Sequence, residues 1–258
     1  MKAALLGGAA LSLLTVSAFG ADLEPLAPLP PPPPPFAWSG CFAGGHAGYG
    51  SARKDITDPI QLAQDAVLGA GTTVGVTTVR VSPTGAVLGG QVGCDYEFAA
   101  RWVIGLEASV SASTMKGTTT VGFPAGFPGD QGLVNARTDF LPSVTARFGY
   151  DFDRVLLYVR GGAAWAGDQY TVSGSITGTA FNFQAIDTRN GWVAGGGIDW
   201  AFSGPWSVNF EYDYYQFGNG NVVMTDSINA FVGQVNVKQS VQVVKLGLNF
   251  HVWSWDQW

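Results

Sequence analysis

Apolar and polar residues alternate along residues 86–98 and again along residues 102–113. In the first segment one face is apolar or small, and it consists of Ala86, Leu88, Gly90, Val92, Cys94, Tyr96 and Phe98. The opposite face carries the charges of Asp95 and Glu97. A period of two predicts β-strands, and about ten residues is the length of a tilted strand that crosses a membrane. The pattern therefore predicts membrane strands whose apolar face points outward.

The same alternation returns along the chain, so the sequence predicts eight such strands. Their predicted ranges are 38–50, 86–98, 102–113, 139–152, 155–165, 192–202, 206–214 and 244–252. Aromatic residues fall near the predicted strand ends, where the two interfacial girdles of an outer-membrane barrel lie. They are Phe98, Trp102, Phe152, Trp200, Phe202, Trp206 and Phe250 at one end, and Tyr49, Trp165, Trp192 and Tyr214 at the other.

The lengths of the connections predict the topology. Two or three residues join strand pairs 2–3, 4–5 and 6–7, whereas long segments rich in Gly, Ser and Thr join pairs 1–2, 3–4, 5–6 and 7–8. Short turns on one side and long loops on the other are typical of a barrel inserted from the periplasm. We therefore expect an all-β, eight-stranded antiparallel transmembrane β-barrel. It would have short periplasmic turns, four long extracellular loops and both chain ends in the periplasm.

The composition agrees with a barrel that faces lipid. Charged residues make up 12% of the chain, about half the ~25% of an average soluble domain. The 13 basic and 19 acidic residues include no basic cluster, which argues against nucleic acid as a partner. A soluble ligand-binding barrel of the lipocalin kind would need apolar residues inside. Here the charges lie opposite the aromatic face, so this alternative is disfavoured.

The N-terminal region predicts export. Lys2 is followed by an apolar stretch over residues 3–19, and small residues stand at Ala18 and Gly20, so residues 1–20 are a predicted signal peptide. A membrane anchor is the competing interpretation, but Gly and Ser residues interrupt the apolar stretch and no basic cluster follows it.

A proline-rich segment comes next, over residues 21–37, with an unbroken run from Pro30 to Pro35. Such a run forms a stiff polyproline II spacer and cannot join a sheet. Two interpretations stay open: a periplasmic arm that holds the barrel near a partner, and a linker that clears the translocation machinery. The predicted barrel then occupies residues 38–253, with a C-terminal extension at 254–258.

Six segments resemble a known family. They read WSGCFAGGHAGYG, WVIGLE, ARFGYDF, GWVAGGG, WSVNFEY and LGLNF, at 38–50, 102–107, 146–152, 191–197, 206–212 and 246–250. They are similar to the recurring segments of the small alphaproteobacterial outer-membrane immunogenic proteins, a porin-like family of eight-stranded barrels related to outer-membrane protein A. The resemblance covers residues 36–252 and implies an outer-membrane surface antigen. Chains of that family end at an aromatic residue after the last strand, whereas here Val252 stands there and residues 253–258 follow.

The sequence contains no motif of a catalytic or cofactor site. Its only two histidines, His46 and His251, lie on the inward face of strands that would be neighbours. Counted from the predicted strand ends, they would be about 20 Å apart, at ~3.3 Å per residue. The sequence therefore predicts no metal site, no cofactor and no enzyme activity.

Charged residues on the inward face predict a cluster inside the barrel. Four of the five members fall about five residues from the short turns, and the fifth about seven: Glu107, Arg147, Arg160, Glu211 and Lys245. Opposite charges at one depth should pair, because an isolated buried ion is very costly. A plug of salt bridges is the preferred interpretation, and a conducting path the alternative.

Cys41 and Cys94 both face outward, near the periplasmic ends of adjacent strands. The periplasm permits a cross-strand disulfide, but β geometry suits only some pairs. A disulfide and two separate lipid-facing thiols both remain open.

Together these observations predict a monomeric outer-membrane barrel with a structural and surface role. Expected partners are outer-membrane lipid and lipopolysaccharide, the barrel-assembly machinery, and host or surface ligands bound through the loops. The alternative is a small porin for ions or small solutes.

Overall fold

The structure is a computed structural model that describes residues 36–69, 77–99, 101–123 and 130–254. The predicted signal peptide, nearly all of the proline-rich segment and residues 255–258 lie outside these ranges.

The described chain consists of nine β-strands and one short helix. The strands are β1 (Gly40–Thr57), β2 (Thr78–Val81), β3 (Thr84–Phe98), β4 (Trp102–Gly122), β5 (Gln131–Phe152), β6 (Val155–Ile176), β7 (Thr179–Ser203), β8 (Trp206–Asp226) and β9 (Val232–Ser254). The helix α1 (Pro59–Leu68) lies between β1 and β2.

The strands form a closed antiparallel ring. Each strand from β3 to β9 pairs with its neighbour in the chain, and β9 pairs with β1 over the full length of β1. The other edge of β1 pairs with β3 up to Ser51 and with β2 from Lys54 onward. β2 and β3 are thus one strand position, interrupted at Pro83, which has no N–H to donate to the ladder. The predicted eight-stranded antiparallel barrel is confirmed.

The long connections differ from the prediction. The segments expected as Gly-, Ser- and Thr-rich loops are mostly strand, so that β6 and β7 are separated only by Thr177 and Gly178, and β8 and β9 by residues 227–231. Each strand from β4 to β9 has 21 to 25 residues, about twice the length needed to cross a membrane. The ring therefore continues well beyond its apolar outer band.

The apolar band surrounds the half of the ring nearest the short turns, which we call the lower barrel. Here the outward residues are apolar, as predicted; Leu106 is 65% exposed, whereas its inward neighbour Glu107 is 2% exposed. The upper limit of this half is marked by the outward residues Tyr49, Ala86, Ala112, Phe140, Trp165, Trp192, Tyr214 and Val244.

Beyond that limit lies the upper barrel, in which the two faces exchange character. Its interior is an apolar core that includes Ile56, Val134, Tyr170, Phe183, Met224 and Val237. Its outer face is largely polar, with Leu133, Ile186, Val223 and Val232 among the exposed apolar exceptions. This half is folded like a water-soluble β-barrel.

Helix α1 packs on the core of the upper barrel. Leu62 and Ala63 are buried in that core, and Pro59 supplies the first helical position, where a missing N–H costs nothing. Within the described ranges, no helix has the length and apolar character needed to cross a membrane.

Candidate functional site: the interior of the lower barrel

A network of charged side chains crosses the lower barrel at mid-depth. Arg160 lies at its centre, because its Nη1 is 2.5 Å from Glu107 Oε1 and 2.8 Å from Glu211 Oε2. Arg147 Nη1 lies 3.3 Å from Glu107 Oε2, and Lys245 Nζ lies 2.6 Å from Glu211 Oε1. The structure thus brings together all five side chains that the sequence analysis singled out, and each is nearly inaccessible to solvent.

Three further carboxylates belong to the same network, and sequence reasoning missed them. Asp213 contacts both Lys245 Nζ, at 2.7 Å, and Arg160 Nε, at 3.2 Å. Asp95 and Asp199 lie 3.6 and 3.8 Å from the Arg147 guanidinium. All three lie on the inward face of their strands, which was the available signal. Counting residues from the short turns did not reveal them. Neighbouring strands in a barrel are staggered, so residues at different distances along the chain from their turns lie at the same depth in the lumen.

The network contains more carboxylates than cations. Its three cations, Arg147, Arg160 and Lys245, face five carboxylates, so that 3 − 5 gives −2 if all are ionised. Inward glycines make room for this packing. A Cβ added at Gly105 or Gly195 would collide with the carboxylate of Asp95 or Asp213, respectively.

Aromatic rings hold the Arg147 guanidinium. Its carbon atom lies 4.1 Å from the ring centroid of Tyr158 and 5.0 Å from that of Phe42. The Tyr158 hydroxyl donates a hydrogen bond of 2.8 Å to Glu211. Cation–π contacts and charge-assisted hydrogen bonds therefore hold the same side chains, which favours one fixed arrangement.

The end of the lumen near the short turns is filled by the residues that precede β1. Trp38 is fully buried, and its indole N–H donates to Asp151 at 3.0 Å. Phe36 packs edge-on against both Trp38 and His251. The predicted first strand, 38–50, is therefore corrected, because Trp38 enters the lumen and pairing begins at Gly40.

The two histidines make hydrogen bonds to different polar side chains. Both ring nitrogens of His46 are hydrogen-bonded, to Gln91 at 2.9 Å and to Ser111 at 2.8 Å, whereas His251 bonds Ser207 at 3.0 Å. His251 lies opposite Phe42, four residues from His46 in the β1–β9 register. The separation is thus about 13 Å rather than 20 Å, at ~3.3 Å per residue. It differs from the expectation because β1 begins later, and β9 ends later, than the sequence suggested.

The two cysteines form a disulfide in the structure. Cys41 and Cys94 are direct partners in the β1–β3 register, and their sulfur atoms are bonded. The bond ties the first described strand to the second strand position at the lower end of the ring.

A second buried ion pair lies above the network, inside the upper barrel. Lys54 Nζ is 2.6 Å from Asp168 Oδ1, both side chains are fully buried, and Thr138 donates to the same oxygen. Burial lowers the pKa of the Lys54 ammonium, and the Asp168 carboxylate opposes that shift. Lys54 also lies 4.6 Å from the ring centroid of Tyr170. Both charged groups of the pair therefore have charged or polar partners inside the barrel.

Apolar side chains occupy the next level of the interior. Between the charged network and the upper core lies an apolar layer that includes Met115, Leu141, Tyr215 and Phe217. Among the described residues, no group of three or more His, Cys, Asp or Glu side chains has the arrangement of a metal site.

Comparisons with known proteins identify the family. The family described as "Outer membrane protein beta-barrel domain" matches residues 44–250. The chain is 27% identical to the "31 kDa outer-membrane immunogenic protein" of Brucella melitensis over 256 residues, which covers 97% of this chain and 99% of that protein. It is 30% identical over 202 residues to an uncharacterized protein of Coxiella burnetii, which covers 73% of this chain and 77% of that protein.

A solved structure shares the fold. The outer membrane protease OmpT of Escherichia coli superposes with a TM-score of 0.50 at 10% identity, over 82% of this chain and 96% of that protein. The family match extends from β1 into β9. The chain therefore belongs to the outer membrane protein β-barrel family, and the protein is located in the outer membrane.

Proposed function

We propose that this protein is a closed surface barrel, whose lumen does not conduct and whose upper barrel stands outside the cell as a rigid platform. By the general topology of such barrels, the short turns face the periplasm and the upper barrel faces outward. The role is structural and interactive, not catalytic. The proposed unit is the monomer, since β1 and β9 close the ring within one chain.

The filled lumen is the observation that carries this proposal. From the periplasmic end upward, the interior holds Trp38, the charged network, the apolar layer and the upper core. An eight-stranded ring is only wide enough for its side chains to fill. A small porin, the alternative function, would need a continuous polar path past the apolar layer at Met115 and Phe217.

The upper barrel supports a role in surface contacts. It places α1 and the β6–β7 and β8–β9 connections beyond the lipid band on a continuous sheet. The Brucella relative is named an immunogenic protein. We propose that this chain is likewise accessible to antibodies and to host or surface ligands through the same end, and that it reaches the membrane through the barrel-assembly machinery. In the oxidising periplasm the Cys41–Cys94 disulfide would form before insertion.

Conductance in planar lipid bilayers tests the closed lumen. The wild-type protein should show no steady conductance. Arg147→Ala or Arg160→Ala should lower barrel stability and thereby raise leakage, because each leaves buried carboxylates of the network without their partner. A stable ohmic channel in the wild type, unchanged by either substitution, would support the porin function and overturn this proposal. Arg101→Ala, in an exposed pair at a periplasmic turn, is the control and should stay closed.

A further inference from the structure

Exposed cations lie on the outer face of the upper barrel, just above the apolar band. They are Arg53, Arg80, Lys116, Arg137 and Lys238. Their positions are asymmetric. They lie on β1, β2, β4, β5 and β9, which are neighbouring strand positions of the ring. On the described upper parts of β6, β7 and β8 there is no exposed Lys or Arg, since Arg189 is buried.

Two of these cations face each other directly. Lys116 of β4 and Arg137 of β5 are register partners on the outer face. Like charges at directly opposed positions repel, which disfavours the pairing unless an anion lies between them. Asp139 pairs with Arg137 Nε on the same strand, and Asp55 pairs with Arg80. The five cations and these two carboxylates leave 5 − 2, or +3, on a chain whose net charge is −6.

The height of these residues matches the polar layer of the membrane. Arg53 lies four residues beyond Tyr49, Lys116 four beyond Ala112, and Arg137 three beyond Phe140. A tilted strand rises about 2.5 Å per residue, so their backbones lie roughly 8–10 Å above the outward apolar band. The polar layer of a bilayer is about 5–8 Å thick on each side, and Lys and Arg side chains can reach back toward it.

We propose that Lys116 and Arg137, with Arg53 two strand positions away, bind the phosphate groups of a phosphorylated outer-leaflet lipid of the lipid A type. The sheet supplies the lipid-facing band for the acyl chains directly below, and the cations supply the complementary charge. The site gives the barrel one preferred lipid on one side of its circumference. This inference rests on the proposed outward position of the upper barrel but not on the closed lumen, so a conducting wild type would leave it intact.

The test measures lipid binding to the full chain in neutral detergent by native mass spectrometry. Bisphosphorylated lipid A is titrated against the wild type and against a Lys116→Gln/Arg137→Gln variant. Because each cation near an anionic membrane surface contributes about 1 kcal/mol, or roughly fivefold in affinity, the double variant should bind about 25-fold more weakly. Dephosphorylated lipid A should bind the wild type as weakly as the phosphorylated lipid binds the variant.

The matched control is Arg101→Gln/Arg154→Gln, which removes two exposed cations from the periplasmic turns. It changes the net charge equally and should bind lipid A like the wild type. A Lys116→Arg/Arg137→Lys variant keeps both charges and should retain binding. In gel electrophoresis each variant should migrate fast before heating and slowly after heating, which will show that its barrel is folded.

Three results would overturn the proposal. The first is equal affinity of the wild type and the Lys116→Gln/Arg137→Gln variant for phosphorylated lipid A. The second is equal binding of phosphorylated and dephosphorylated lipid. Inorganic phosphate is the third ligand; if it displaced lipid A at equal concentration, the site would bind free anions and the assignment to a lipid headgroup would be wrong.

Discussion

The lower and upper barrels are built from the same strands but place opposite kinds of residues inside. In the lower barrel Glu107 points inward and Leu106 outward, and they are 2% and 65% exposed. In the upper barrel Val222 points inward and is 2% exposed, while the outward side is polar at Lys116 and Arg137. Each strand keeps the same face inward as it runs from the lower into the upper barrel. The two halves therefore differ only in which kind of residue occupies that face.

The difference shows that the surroundings, rather than the strand, decide which face is apolar. Lipid is as apolar as a protein core, so the lower barrel can expose Leu106 and collect its charges inside. Water surrounds the upper barrel, where burying apolar side chains is favourable and the interior becomes a conventional core. The charged network is tolerable in the lower barrel because each ion there has partners of opposite charge.

The largest effect should come from the network itself. Arg160→Ala removes the cation that contacts Glu107, Glu211 and Asp213, and leaves these carboxylates buried beside fewer cations. We expect a loss of about 3–5 kcal/mol in the free energy of unfolding. Urea titration of the protein in lipid vesicles measures it. The control Arg101→Ala breaks an exposed pair and should cost under about 1 kcal/mol, and equal losses would contradict a network that stabilises the lower barrel.

A substitution of one kind at two heights sharpens the comparison of the outer faces. Leu106→Arg places a charge against lipid and should cost about 2–4 kcal/mol. Thr120→Arg lies on the same face of the same strand in the upper barrel and should change stability by less than about 0.5 kcal/mol. The same vesicle unfolding assay applies. If the two variants were equally destabilised, the lipid boundary on β4 would not lie between these residues.

The smallest effect is expected at two adjacent residues of β8, which test whether the apolar face of the upper barrel points inward. Val222→Asn buries an amide without a partner in the apolar core and should cost roughly 2–3 kcal/mol. Val223, which is 53% exposed, should accept the same change within about 0.5 kcal/mol. Proteolysis of intact cells, which reaches only the outer part of the barrel, compares the two variants. Greater cleavage of the Val223→Asn variant would show that the faces are assigned the wrong way round.

Much of the lower barrel could be predicted from the sequence. The outward faces of β3, β4 and β9 and the turn at Asp153–Arg154 follow from alternation and turn residues alone. The upper barrel was missed although its signal is present: over residues 234–243 Val235, Val237 and Val241 alternate with polar residues. This segment does not match the pattern of a membrane strand, because its apolar residues lie on the inward face and its polar residues on the outward face.

The sequence by itself determined that the chain alternates with a period of two, turns back through short connections after residues 98, 152 and 202, and carries too few charges to cover a soluble surface. These properties depend on local backbone geometry and composition, so each can be recognised without a partner strand. The tertiary structure decided which carboxylates meet Arg147, how far the ring extends beyond its apolar outer band, and that Trp38 enters its lower end. Those features depend on strand stagger and on ring closure, which join residues more than a hundred positions apart, as in the hydrogen bond from Trp38 to Asp151.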